Sequence, residues 1–160
     1  MLKINFSNSQ RKVKLPTNTK KLLTSAAEAV LKIEDFFEPA EINITFVSDS
    51  RIRKINKAFR DIDRSTDVLS FPMGEDGIYD VNPENGCLIL GDVIISVEHA
   101  VAQSKEFGHG FDREMAYLTV HSVLHLLGYD HIDEGEQKRL MRLKEESALA
   151  LIGLQIDKEQ

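Results

Sequence analysis

Cysteine is nearly missing from this chain of 160 residues: Cys87 stands alone, so no intramolecular disulfide can form and a four-cysteine zinc site is excluded by counting. A reducing cytosol is the expected compartment, and a cytoplasmic location is the expectation carried forward. Tryptophan is absent, and no apolar run approaches the length that spans a bilayer. The first residues, Met1-Leu2-Lys3-Ile4-Asn5-Phe6, alternate apolar and polar side chains instead of forming the continuous apolar stretch of a secretory signal. Neither secretion nor a membrane partner is expected. Acidic residues are also missing from one region: residues 1–27 hold six of the 20 Lys and Arg and none of the 26 Asp and Glu.

What is present suits one ordinary domain over residues 1–160, with 42% hydrophobic residues to build its core. The net charge of -6 argues against a nonspecific nucleic-acid coat, yet its distribution is uneven. Arg51 to Arg60, reading RIRKINKAFR, is a basic island of five positive side chains with no negative one.

Leu2, Ile4 and Phe6, and later Ile42, Ile44 and Phe46, alternate with polar residues at the period of half-buried strands. Between them Leu22, Leu23, Ala26, Ala27, Val30, Leu31, Ile33 and Phe37 recur at helical spacing, and Pro39 ends that run. Ile52, Ile55 and Phe59 mark the buried side of a second helix, and Asp67 to Pro72 reads as a short strand stopped by its proline. Met73 to Gly86 is a long loop. Cys87 to Val97 is nearly continuous in apolar character, as in a central strand, with Gly91-Asp92 suggesting a bulge. Helices then follow from about Val97 to Phe107, Asp112 to Leu127 and Glu134 to Leu151. Gly128 stops the middle one, and the last starts with Asp133 three residues before Glu136, close to a capping box. The order predicts an α/β (α+β) domain: a mixed four-stranded sheet packed with about five helices, the last three forming a layer of their own.

His121-Ser122-Val123-Leu124-His125-Leu126-Leu127-Gly128-Tyr129-Asp130-His131 places three of the five histidines within one short segment. Residues four apart share a helical face, so His121 and His125 can reach one metal ion, and a turn at Gly128 can return His131 to it. Neutral imidazoles suit zinc, although nickel or another divalent ion would also bind. Three protein ligands leave a fourth position for water, whose pKa such a site lowers to about 7. The competing interpretation is a structural metal, or histidines with ordinary hydrogen bonds. The spacing is shared with metzincin proteases, which place glutamate directly after the first histidine. Ser122 stands there instead, and a hydroxyl is too weak a base for that role.

The same eleven residues resemble the signature of the YbeY family, bacterial metal-dependent endoribonucleases of ribosomal RNA maturation. Asn56-Lys57-Ala58-Phe59-Arg60, then Thr66-Asp67-Val68-Leu69-Ser70-Phe71-Pro72, then Leu90-Gly91-Asp92-Val93-Ile94-Ile95-Ser96 resemble that family's other blocks in the same order. The resemblance runs from about Asn56 to His131. It implies that His121, His125 and His131 are zinc ligands, that Arg60 is a functional arginine, and that the zinc site lies at the end of a helix in the C-terminal half. Ser122 departs from the family's usual glycine, narrowing space beside the metal, and Ser65 from its usual proline.

The basic island fits an RNA substrate. If residues 51–64 are largely helical, Arg53, Lys57, Arg60 and Arg64 fall on one stripe and Ile52, Ile55 and Phe59 on another face. A solvated helix face is the alternative. With the resemblance, Arg60 is the expected catalytic partner of His121, since a guanidinium fork grips a phosphate at two points and stabilises transition-state charge. Asp67 and Asp92 are expected to be structural, Glu114 either orients a ligand or favours its helix N-terminus, and His99 and His109 are expected to be ordinary exposed histidines.

The function expected is a zinc-dependent endoribonuclease cleaving single-stranded RNA, by water or by the RNA 2'-hydroxyl. Ribosomal RNA as substrate, a role in ribosome quality control, and the ribosome or its proteins as partners are implied by resemblance. The rivals are a noncatalytic RNA- or ribosome-binding module with structural zinc, and a zinc peptidase.

Overall fold

In the computed structural model, residues 1–129 and 135–154 are described, and alternation becomes sheet where it was expected. The chain runs β1 (Leu2–Asn8), α1 (Thr19–Ile33), β2 (Ala40–Val47), α2 (Asp49–Arg60), β3 (Val68–Pro72), β4 (Leu88–Ser96), α3 (Val97–Glu106), α4 (Phe111–Leu126) and α5 (Glu136–Leu151). The four strands lie in the order β1-β2-β4-β3. β1 pairs parallel with β2 and β2 with β4, whereas β3 pairs antiparallel with β4 and forms an edge. This is the mixed four-stranded sheet with five helices that the periodicity implied, with β4 inside the sheet.

Register explains the layers. Leu2, Ile4 and Phe6 stand beside Ala40, Ile42 and Ile44, and Ile44 and Phe46 beside Val93 and Ile95, so one sheet face is apolar. That face joins the buried side of α1 (Leu23, Ala26, Ala27, Val30) and the core of α4 (Met115, Leu118, Val123, Leu124) in one cluster. The opposite face carries a polar row: Asn5 donates to Asn43 (2.9 Å) and Asn43 to Asp92 (2.8 Å). α2 covers this second face at one end only, over Val47, Leu69 and Ile94.

Four expectations are corrected. α1 stops at Ile33, Asp35 adopts a left-handed conformation (φ 53°), and Phe37 is 72% exposed instead of extending the apolar stripe. α2 stops at Arg60, because Asp61 is left-handed (φ 58°) with its N–H bonded back to Lys57, so Arg64 lies beyond the helix and off its stripe. Within α2, Ile52 and Asn56 are buried, while Phe59 is exposed. The last three helices are not a separate layer, since α1 packs along both α4 and α5. α5 starts at Glu136 with Gly135 as its cap; the expected cap Asp133 and start Glu134 lie outside the described residues.

The β4 bulge expected at Gly91 is present as a register shift against Glu41 and Ile42. Gly91 has φ 147°, and a Cβ there would meet the Phe71 carbonyl and the Leu126 side chain. Only glycine lets the C-terminal end of α4 settle this close to the β3–β4 pair.

Candidate active site

α4 buries Leu118, Thr119, Val120, Ser122, Val123, Leu124 and Leu126 and leaves His121 and His125, one turn apart, turned toward a groove. Their ring centroids are 4.6 Å apart and their Nε2 atoms 3.1 Å apart. Each Nδ1 faces an oxygen that only accepts: the Glu145 carboxylate at 2.6 Å from His121, and the Tyr129 carbonyl at 2.7 Å from His125. Both Nδ1 atoms therefore carry the hydrogen in the neutral rings, and both Nε2 lone pairs converge. Two imidazole ligands of one tetrahedral zinc stand about 3.3 Å apart, given Zn–N distances of about 2.0–2.1 Å, so the pair fits one cation. The third expected ligand, His131, lies outside the described residues, and among those described no three metal-binding side chains form a group.

The surroundings hold both rings. Leu127 and Gly128 close the helix, with the Tyr129 N–H donating back to Leu124 (3.1 Å), and the φ of 107° at Gly128 is one that side chains disfavour. That turn aims the Tyr129 carbonyl at His125. The Tyr129 hydroxyl is pushed up to about 12 by burial and by Glu34 at the end of α1, which anchors the residue at its other end. Tyr117 lays its ring beside His121 (5.8 Å), and burial, reinforced by the Glu145 charge, raises its hydroxyl well above the ordinary range. From the long loop, the Tyr79 hydroxyl donates to the Leu126 carbonyl (2.8 Å) and so tethers residues 73–87 to the end of α4.

The groove measures about 980 Å³, and Arg60, from the last turn of α2, lines it together with His121 and His125. β3 forms its wall through Val68, Ser70 and Pro72. Of the basic stripe, only Arg60 reaches this groove. Arg53 and Lys57 both turn to Asp63, at 2.9 and 3.9 Å, and the Arg53 guanidinium holds the Asp63 carboxyl below its usual range. Arg64 borders an adjoining depression of about 490 Å³, shared with Arg60, Ser65 and His99.

Other expected positions have local partners. His99 is half-buried and bound through Nδ1 to Asp49 (3.0 Å), so it is not an ordinary exposed histidine; His109 lies on a second depression, lined also by Tyr117 and Glu145 behind His121. Asp67 accepts from the Val68 N–H (2.7 Å) at the start of β3 and also lines the groove, and Asp92 accepts from Asn43. Glu114 does not orient His121: its carboxylate accepts from Gln103 (2.7 Å), and burial raises its pKa. Ser122 is fully buried, does not line the groove and cannot narrow it, and its Oγ has no hydrogen-bond partner among the described residues. The position a peptidase would use for its base thus points into the core.

Glu145 is the residue that sequence reading missed. Its trace was present, since it interrupts the core-facing row of α5 formed by Met141, Ala148 and Leu149, where a carboxylate calls for a partner.

A family model described as endoribonuclease YbeY matches residues 5–153. A protein called endoribonuclease YbeY from Pelotomaculum thermopropionicum is 48% identical over 148 residues, covering 92% of this chain and 95% of that one. Its counterpart in Thermoanaerobacter sp. (strain X514) is 41% identical over 165 residues, covering 96% and 99%. In the solution structure of TM1509 from Thermotoga maritima the same fold recurs, with a TM-score of 0.58 and 25% identity over 93% of this chain and 91% of that one. With the histidine helix, Arg60 and the groove on one framework, the chain belongs to the YbeY endoribonuclease family.

Proposed function

We propose that this protein is a zinc-dependent endoribonuclease that cleaves single-stranded RNA, acting on ribosomal RNA during its maturation and in ribosome quality control. Family membership supports the endoribonuclease role. The observation that carries the reading is the shared groove: a convergent imidazole pair and an arginine face one space of about 980 Å³. His121, His125 and His131 would hold the zinc, which when bound supplies Lewis acidity toward a phosphoryl oxygen and toward water. The Glu145 carboxylate and the Tyr129 carbonyl keep both Nδ1 hydrogens in place, so the Nε2 lone pairs stay directed into the groove. Arg60 presents a planar fork to the scissile phosphate, binding it at two points and stabilising the charge that grows there. The tether from Tyr79 to α4 keeps the loop wall in position over the strand being cleaved. The cytoplasm and the ribosome or its proteins belong to this reading as location and partners. No helix among the described residues is long and apolar enough to cross a membrane.

The test is cleavage of end-labelled single-stranded RNA by purified protein, before chelation, after it and with zinc restored, the metal content of each sample being measured. Loss on chelation and recovery with zinc is expected, with a duplex of the same sequence left intact. Intact RNA at one bound zinc per chain, on free and ribosomal substrates alike, would favour the noncatalytic binding module. Product ends separate water attack from attack by the 2'-hydroxyl.

A further inference from the structure

α2 buries Ile52 and Asn56 against the sheet, yet at Phe59 it turns a large aromatic ring outward, 73% exposed. An isolated exposed ring is unremarkable on a protein surface, but this one is seated. It meets Phe71 edge to face, with centroids 5.5 Å apart and planes at 63°. Phe71 is itself set into the small cluster of Val47, Ile52, Leu69 and Ile94. The exposed ring is thereby oriented by a half-buried one, with room left for another flat group.

Two placements connect the ring to the groove. Phe59 directly precedes Arg60, which lines the groove beside the histidines. On β3, Val68, Leu69, Ser70 and Pro72 line that groove, while Phe71, between the last two, lies in the cluster under α2. The wall between the aromatic pair and the histidine pair is thus one edge strand thick. Charge points to the ligand: Arg51, Arg53, Lys54, Lys57 and Arg60 are all exposed on α2, with Arg60 next to the ring in sequence and Arg53 and Lys57 on a different face paired with Asp63, and within the helix the one acidic residue is Asp49 at its far end. A helix that is cationic along its length and ends in an open aromatic ring beside an arginine suits a polyanion that offers flat groups, and only unpaired bases offer their faces.

We propose that Phe59, braced by Phe71, is a stacking platform for an unpaired base of the RNA strand whose phosphate meets Arg60. The proposal rests on the endoribonuclease reading and adds a source for its preference for single strands. The base lies on the α2 side of β3, its backbone passes the end of α2, and the phosphate enters the groove on the other side. A duplex keeps its bases stacked inside and gains nothing from the ring.

The absence of tryptophan provides the test. Phe59→Trp makes the ring position the only indole in the chain, and titration with a 2'-O-methyl single strand, checked on a gel to stay intact during the measurement, should quench its fluorescence to saturation. Phe59→Ala, with melting temperature and metal content checked, should raise KM for single-stranded RNA about tenfold with kcat nearly retained. Phe59→Tyr should restore KM and Phe59→Leu should not, because stacking needs a flat face. Removing the base at the contacted nucleotide should cost the wild type the same factor and Phe59→Ala nothing more. Unquenched Phe59→Trp fluorescence together with a wild-type KM in Phe59→Ala would overturn the platform and leave the ring as a protein-docking surface, even if the wild type cleaves RNA. Full quenching without cleavage by the wild type would support the platform and count against the endoribonuclease reading, so the two failures are distinguishable.

Discussion

The C-terminal end of α4 and the exposed face of α2 flank the same edge strand and are built in opposite ways. At α4, each histidine is partly buried and held at Nδ1 by one hydrogen bond, and α1, α3, α5 and the sheet pack around the helix. At α2, the cations are exposed, and two of them share one carboxylate, Asp63, that is itself in solvent. The contrast matches what each region must do. Chemistry at a phosphate needs donors fixed to within fractions of an ångström, whereas gripping a flexible polymer tolerates long side chains that adjust. Arg60 stands where the two meet, exposed like its neighbours but positioned by the helix end to line the groove of the histidine pair.

The largest test of this division is His125→Ala, which should abolish both metal retention and RNA cleavage; metal analysis and turnover assays on the folded variant measure it. Turnover that survived would move the chemistry away from α4. Next is Arg60→Ala, expected to lower kcat by about 10²–10³-fold with the metal content unchanged, the loss typical of removing one charge-stabilising donor. Loss of metal in that variant would show that the two regions are not separable. Glu145→Gln keeps the shape and an acceptor but removes the charge behind His121; zinc affinity should fall about tenfold, read by competition with a chelating dye, and an unchanged affinity would reduce Glu145 to packing.

The smallest effect belongs to Asp63→Asn, which frees Arg53 and Lys57. Because the Asp63 carboxyl is held below its usual range, its ion pairs contribute stability that is present above the unfolded-state pKa and fades as pH falls through the lower folded-state value. Wild type should therefore melt slightly above Asp63→Asn at neutral pH, and the two should converge well below the carboxylate range. Exposed pairs of this kind add little, so a large gap would mean that α2 is more rigid than its exposure suggests.

The sheet, its central strand and the histidine pair were legible in the sequence because they depend on period and spacing along the chain. Alternation at Ile42, Ile44 and Phe46 gave β2, and the four-residue interval gave the convergence of His121 and His125. Features that depend on long-range contact were not legible. Glu145 lies 24 residues from His121 and meets it only because α5 packs on α4. The end of α2 rests on a non-glycine residue, Asp61, adopting a left-handed conformation, which no proline or glycine announced. Phe59 repeats at helical spacing like a core residue, and only the three-dimensional arrangement shows that its ring meets Phe71 edge to face and stays largely in solvent.

Gly91 belongs to none of the groove's walls, yet it sets how deep the groove is. The extra residue in β4 and its missing side chain decide how near α4 can approach, and Tyr79 and the histidines take their height above the sheet from that approach. The site thus has a spacer built in beneath it, between the sheet and the end of α4. Histidines transplanted onto a similar helix would form the same pair, but without this dislocation in the sheet they would stand at a different distance from Arg60. A side chain at Gly91 would therefore disturb the histidine pair from a position that lines no part of the groove, and a search for equivalent sites should look for the gap in the strand as well as for the histidines above it.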